Sequence, residues 1–392
     1  MKKRKILLLT FYFEPDLCAC SFRATPLVDS LRNLLNVDDE IEVITTMPNR
    51  YSSYKVKSLA YEEHGIIKIH RVKLKSHNSG FIDQAYSFTT YFFKVLKKTK
   101  GKDYDLVIAT SSRLFTAFLG SVVARKVKAP LYLDIRDIFR DTMNEVLQSK
   151  ILKSTILPAL TWVENFTFKQ ASHINLVSEG FSNYFKSRFN KNYTYHTNGI
   201  DKIFLNFDFE HSENRDIPII TYAGNIGEGQ GLHIIIPQAA KALEGEFQFV
   251  IIGAGGAKQK LIDEIDRLKI SNIEMIDAVN RDSLLKYYQQ TDFLFFHLNK
   301  YKAFEKVLPS KLFEYAATNK AIIGGVSGYA AKFMSTNLSD SILFEPGDVA
   351  SFVKQIRAFV KPDLARDDFI LKYSRENIMK TMVREIHEDY LV

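Results

Sequence analysis

The sequence predicts an α/β protein built from two doubly wound parallel sheets in tandem. Three observations predict it. Short apolar runs alternate with helical stretches along the chain. The pattern restarts after Asn198-Gly199. And 392 residues exceed one typical core, so two domains are expected.

In the first half, Lys5-Ile-Leu-Leu-Leu-Thr10 reads as a buried parallel strand, followed by a loop through Pro15 and a helix near Ala24–Leu35. Ile41–Thr45 and Ile66–Leu74 read as the next strands. Asp105–Thr110 follows, then a helix over Leu114–Val127. Leu131–Ile135 and Ile174–Ser178 close the half. In the second half Ile219–Ala223, Phe247–Gly253, Ile273–Ile276, Phe293–Phe296, Ala321–Gly324 and Ile342–Phe344 continue the series. The polar segment Phe189–Tyr193 reads as the hinge. The expected domains are 1–190 and 191–372, with a final helix over 373–392.

Hydrophobic content of 46% and charged content of 25% are those of a globular protein. No run of 18 apolar residues could span a bilayer. Met1–Lys5 is basic, but Ile6–Leu9 is too short for a signal-peptide core. Cys18 and Cys20 are two apart, which is neither a redox C-x-x-C nor a paired zinc half-site. A reducing cytoplasm is the expected location. Residues 1–200 hold 30 Lys and Arg against 18 Asp and Glu, a balance of +12, while the rest balances at −4. A basic first half suggests an anionic partner. With no zinc finger, RNP-like motif or continuous basic helix, an anionic membrane surface fits better than nucleic acid.

The densest chemical signal is Leu308–Gly325. Pro309 suits the first turn of a helix. Lys311 and Glu314, three apart, share a face near its positive end. An anion there meets backbone N–H groups and an ammonium, while a carboxylate one turn deeper can take both hydroxyls of a ribose. A plain capped helix is the alternative. A capping box from Ser310 would need Glu at 313, where Phe313 stands. Asn319 can close the helix in the left-handed conformation. Gly224-Asn-Ile-Gly-Glu-Gly-Gln-Gly231 lies between strand and helix and reads as a phosphate loop, against a tight turn. Gly253-Ala-Gly-Gly256 tempts a dinucleotide reading, but the fingerprint needs glycine where Lys258 stands. His297, after an apolar strand, reads as an interior histidine.

Together, Phe11-Tyr-Phe-Glu-Pro-Asp16, Phe22-Arg-Ala-Thr-Pro-Leu27, Asp134-Ile-Arg-Asp137, Asn198-Gly-Ile-Asp201, Tyr222-Ala-Gly-Asn-Ile-Gly227, Gln230-Gly-Leu232 and Pro309-Ser-Lys-Leu-Phe-Glu-Tyr315 resemble one family. It is the retaining, family 4 type of GT-B glycosyltransferase, as in bacterial O-antigen and capsule synthesis. The resemblance implies two Rossmann-like domains facing a cleft, with a nucleotide-diphosphate sugar, UDP as first guess, held by the second. Glu314 then holds the ribose. Ser310, Lys311, Asn225, Gly227 and Gln230 fall at the diphosphate, and Gly253 and Val279 near the base. Asp137 lies by the acceptor as a catalytic candidate, and Arg23 and Arg136 join the substrate-binding set. The family's second glutamate, separated from Glu314 by seven intervening residues, counts back to Lys306, with Glu305 adjacent as the other catalytic candidate. The acceptor is expected to be a glycan, lipid-linked, and no essential metal or other cofactor is expected. The transferred group is hexosyl or N-acetylhexosaminyl. A non-hydrolysing sugar-nucleotide epimerase and a non-catalytic nucleotide-sugar binder remain alternatives.

Residues 81–102 combine Phe81, Ile82, Tyr86, Phe88, Tyr91, Phe92, Phe93, Val95 and Leu96 with Lys94, Lys97, Lys98, Lys100 and Lys102. This suits the bilayer interface or, equally, a core helix with a solvated lysine tail. The resemblance favours the membrane reading, a peripheral position on the inner face of the cytoplasmic membrane.

Overall fold

The computed structural model describes residues 3–16, 18–49, 58–74, 81–111, 114–147, 149–210, 215–318, 320–360 and 366–392. The chain divides into two units, one of Met1–Asn198 with Arg375–Val392, the other of Gly199–Ser374.

The first unit runs β1 (Lys5–Leu9), α1 (Ser21–Leu34), β2 (Glu40–Thr46), β3 (Tyr61–His64), β4 (Ile67–Val72), α2 (Phe81–Thr99), β5 (Leu106–Ser111) and α3 (Leu114–Val127). It continues through β6 (Leu131–Ile135), α4 (Phe139–Val146), α5 (Lys150–Gln170), β7 (His173–Leu176), α6 (Ser182–Lys186) and β8 (Asn192–Thr194). The strand order is β3-β4-β2-β1-β5-β6-β7-β8, antiparallel only at β3–β4. The apolar runs Ile6–Leu9 and Leu106–Ala109 are fully buried, as strands covered on both faces must be.

The expected hinge at Phe189–Tyr193 is not one. Its end enters the edge strand β8, paired in parallel with β7, so the unit boundary falls at Asn198–Gly199 rather than near 190. The polar sequences of β3 and β8 hid them from an apolar-run reading. Edge strands need not be apolar.

The second unit contains α7 (Lys202–Leu205), β9 (Ile219–Asn225), α8 (Leu232–Ala242), β10 (Gln248–Ala254), α9 (Lys258–Leu268), β11 (Ile273–Ile276) and α10 (Arg281–Gln289). It continues with β12 (Phe293–His297), α11 (Lys311–Ala316), β13 (Ala321–Gly325), α12 (Gly328–Asn337), β14 (Ile342–Phe344), α13 (Val349–Arg357) and α14 (Asp367–Tyr373). The described strands form one parallel sheet, β11-β10-β9-β12-β13-β14. Alternate residues feed the two faces: Phe249, Ile251 and Phe295 enter one core layer, Val250, Ile252, Leu294 and Phe296 the other. Each such burial contributes about 1.5–3 kcal/mol. The order reverses at β9, between β10 and β12, so the carboxyl ends of β9 and β12 flank the topological switch point.

α15 (Arg375–Tyr390) belongs to the first unit. It buries Met379, Met382, Val383 and Ile386, and its Glu385 Oε2 lies 2.6 Å from His196 Nε2.

α2 settles the two readings of residues 81–102 toward the core. Tyr91 and Val95 are fully buried, and the Tyr91 hydroxyl donates to the carbonyls of Ile44 (2.6 Å) and Thr10 (3.1 Å). Phe88 and Phe92 pack on Phe115 and Phe118 of α3. Tyr86 and Phe93 stay exposed. The side chains of Phe81 and Ile82 lie outside the described residues.

Candidate active site

Two glycine turns interlock at the carboxyl ends of β9 and β10. Gly253 stands in register with Gly224, at φ values of 146° and 149°. A Cβ on Gly253 would collide with the Gly224 carbonyl, so bare backbone meets bare backbone. The turns are stapled by Ile226 N–H to the Ala254 carbonyl and Ala257 N–H to the Ile226 carbonyl, both 2.9 Å. Asn225 Nδ2 donates to Gln230 Oε1 at 2.8 Å, and Gly227 N–H reaches the same oxygen at 3.2 Å. These two amides, expected as diphosphate ligands, thus hold the loop's shape. The Phe304 ring covers Gly229, where a Cβ would sit 2.9 Å from Cζ.

His297 fixes the loop from beneath. Its Nδ1–H donates to the Gln230 carbonyl (2.7 Å) and its Nε2 accepts from Gly347 N–H (2.9 Å). Burial pushes its pKa down to about 4, so the ring is neutral, and it is the interior histidine expected from the sequence.

Lys311 supplies the charge. Its Nζ lies 5.6 Å from the Tyr222 ring centroid and makes no hydrogen bond or ion pair among the described residues. It fills the space that a Cβ on Gly224 would need. The ring below is anchored by the Tyr222 hydroxyl donating to the Asn225 carbonyl at 2.6 Å. Burial pulls the Lys311 pKa below the usual lysine range, and the negative field of Glu314 partly opposes the shift. The sequence marked Tyr222 as the first residue of the motif Tyr222–Gly227 but gave no sign that its ring underlies Lys311.

The helix itself differs from expectation. It begins at Lys311, not Pro309, and has six residues, with Ser310 at the N-cap making no side-chain cap bond. Leu312 N–H to the Pro309 carbonyl (3.3 Å) and Phe313 N–H to the Ser310 carbonyl (3.1 Å) make a tight first turn. So short a helix has a weak dipole, and the groups there that could meet an anion are Lys311 and the backbone of the glycine turns. Asn319, its expected terminator, lies outside the described residues. Glu314 and Val279 are half-buried. Glu305 is exposed in the turn Phe304–Lys306, and its backbone packs against Gly328; Lys306 is half-buried.

In the first unit, Arg23 is not placed to bind substrate. It is fully buried, with Nε and Nη2 on the Asp134 carboxylate (2.7 and 2.8 Å). Nη1 donates to the Thr197 carbonyl (2.7 Å) and Nη2 also to that of His196 (2.8 Å). Asn175 Nδ2 completes the cage on Asp134 at 2.8 Å. Despite its burial, Asp134 keeps a lowered pKa because Arg23 stabilises the anion. Arg136 and Asp137 follow β6, both half-buried. Arg136 Nη2 donates to Asn198 Oδ1 at 3.3 Å. The chain's Asp-x-Asp, Asp103-Tyr-Asp105, precedes β5 at the amino ends of the strands, where Asp105 accepts from Lys5 N–H at 2.8 Å.

Residues 204–376, the span carrying the glycine turns and Lys311, match the family model of glycosyl transferases group 1. The match is confined to this segment, which is under half of the chain. WcaI of Escherichia coli strain K12, named for glycosyl transfer in colanic acid biosynthesis, is 29% identical over 181 residues of the chain. That similarity covers 43% of this chain and 42% of WcaI, less than half of either. Two solved structures match this chain along nearly all of both chains. Sucrose-phosphate synthase from Thermosynechococcus elongatus aligns at TM-score 0.73 and 14% identity, over 98% of this chain and 99% of that one. Anabaena HepE, in complex with UDP-glucose, aligns at 0.71 and 13%, over the same shares. At such identities they establish the fold, that of the GT-B glycosyltransferases.

Proposed function

We propose that this protein is a retaining glycosyltransferase of surface-polysaccharide synthesis. It moves a hexosyl or N-acetylhexosaminyl group from a UDP-sugar to a lipid-linked glycan. One observation carries the reading: an ammonium with no ion-pair partner among the described residues, Lys311, stands beside backbone kept bare by Gly224 and Gly253. That is a seat for a diphosphate. The group 1 family match, the colanic acid assignment of WcaI and the UDP-glucose held by HepE support it.

In the reaction the bond from the anomeric carbon to the diphosphate oxygen breaks. The acceptor oxygen bonds to that carbon on the same face, and its proton passes to the departing diphosphate. Negative charge grows on the leaving group, and Lys311 with the N–H groups of the Gly224–Gly231 turn stabilises it. Glu314 takes the ribose hydroxyls, Val279 and Gly253 flank the base, and Glu305 meets the donor sugar. Asp137 orients the acceptor hydroxyl. A thermal-shift panel of UDP, GDP, ADP and TDP with their sugars tests the seat. UDP and its sugars are expected to stabilise the chain most; no stabilisation by any of them would overturn the reading.

A further inference from the structure

The outward face of α5 is uncharged along its middle. Residues 154–168 contain one ionisable group, Glu164, which is buried and accepts from the Tyr184 hydroxyl (2.6 Å) and Arg188 Nη1 (2.9 Å). Ile151, Thr155, Pro158, Ala159 and Trp162 fall on one helical stripe, and all are exposed, Ile151 by 79% and Trp162 by 62%. A helix on a globular protein turns its charged side to water; α5 presents an apolar one over three turns. The stripe continues sideways. Trp162 packs on Phe118 of α3 at 6.3 Å, Phe118 stacks on Phe92 of α2 at 6.0 Å, and Phe92 meets the exposed Phe93 at 5.6 Å.

The charge of this three-helix layer is one-sided. α2, α3 and α5 carry eight Lys and Arg against two acids, Asp83 and the buried Glu164. Lys94, Lys97, Lys98, Lys150 and Lys169 are exposed. The neighbouring α4 brings Asp141 and Glu145, and Asp141 lies 3.7 Å from Arg140. A second copy laid on this face would set like charges against each other. An anionic lipid surface matches both features, since Trp and Phe suit the headgroup boundary and each lysine gains there.

We propose that the α2–α3–α5 face docks the protein on an anionic phospholipid bilayer, with Trp162 and Ile151 of α5 entering the headgroup boundary. Contact is peripheral, because no described helix is long and apolar enough to cross a membrane. The inserted element is α5, whereas the sequence pointed to α2, whose aromatic side the core consumes.

Trp162 is the only tryptophan, so the fluorescence of the intact chain reports this spot alone. Phosphatidylglycerol-rich vesicles are expected to shift its emission to the blue, brominated acyl chains to quench it, and molar salt to weaken both effects. Pure phosphatidylcholine vesicles are expected to act far less. Ile151→Glu with Leu152→Glu, both at exposed positions, is expected to lower partitioning roughly tenfold with unchanged circular dichroism. Lys150→Gln with Lys153→Gln is expected to reduce the salt sensitivity. No shift or quenching with the anionic vesicles would overturn the proposal, as would wild-type partitioning of the Ile151/Leu152 variant. So would blue emission that arises without lipid and tracks protein concentration.

Discussion

Arg23 and Lys311 are two cations that the sequence assigns to the same task, and the fold separates them. Arg23 is enclosed by Asp134 and two carbonyls, so its charge is fully answered inside the first unit. Lys311 is half-buried beside Tyr222, where the negative field of Glu314 partly offsets its desolvation. A buried cation with every donor satisfied stabilises its domain. A desolvated cation without an ion pair costs stability and is relieved by an incoming anion. The same residue class is therefore a strut in one unit and, on the function proposed above, a binding group in the other.

Several measurements sharpen or break this contrast. The largest effect is expected for Arg23→Ala, which strands the buried Asp134 carboxylate. A loss of about 3–5 kcal/mol in chemical denaturation is expected, with UDP affinity of the folded fraction unchanged. A loss of UDP binding without loss of stability would reverse the two roles. Gly253→Ala comes next. Its Cβ meets the Gly224 carbonyl, so a destabilisation of about 2–4 kcal/mol is expected. Gly256→Ala, with nothing within 4 Å, is expected to change stability by no more than about 0.5 kcal/mol.

Lys311→Ala is expected to weaken UDP binding by about 1.5–3 kcal/mol in calorimetry while leaving the melting temperature equal or higher. A lower melting temperature with intact UDP binding would make Lys311 a strut as well. The pH dependence is subtler. Because the folded Lys311 pKa lies below the ordinary lysine value, UDP affinity is expected to fall as pH rises, before a normal lysine would lose its proton. Lys311→Arg is expected to push that fall to higher pH. For His297 the pKa is again lowered by burial, and the consequence falls on stability. Its depressed pKa of about 4 means that the unfolded chain binds more protons between pH 6.5 and 4. About 2–3 kcal/mol of stability is therefore expected to be lost as pH falls through that window, and His297→Gln is expected to flatten the loss.

The buried parallel strands were legible because strands covered on both sides are continuous apolar runs, as Ile6–Leu9 and Phe293–Phe296 are. Tyr61–His64 and Asn192–Thr194 were not, since a polar edge strand is defined by its neighbour's hydrogen bonds. The glycines at 224 and 253 were visible as turn signals, yet the sequence could not say that each is the other's neighbour. It placed Lys311 and Glu314 on one helical face, because that spacing is local.

What the linear order determined was periodicity: which segments are strands, where the pattern restarts, and which residues share a turn. The tertiary structure decided which charges are answered. Whether Arg23 is caged, Lys311 desolvated, α2 turned inward or α5 left bare depends on atoms distant in sequence. Burial and ion pairing are properties of the neighbourhood that folding assembles.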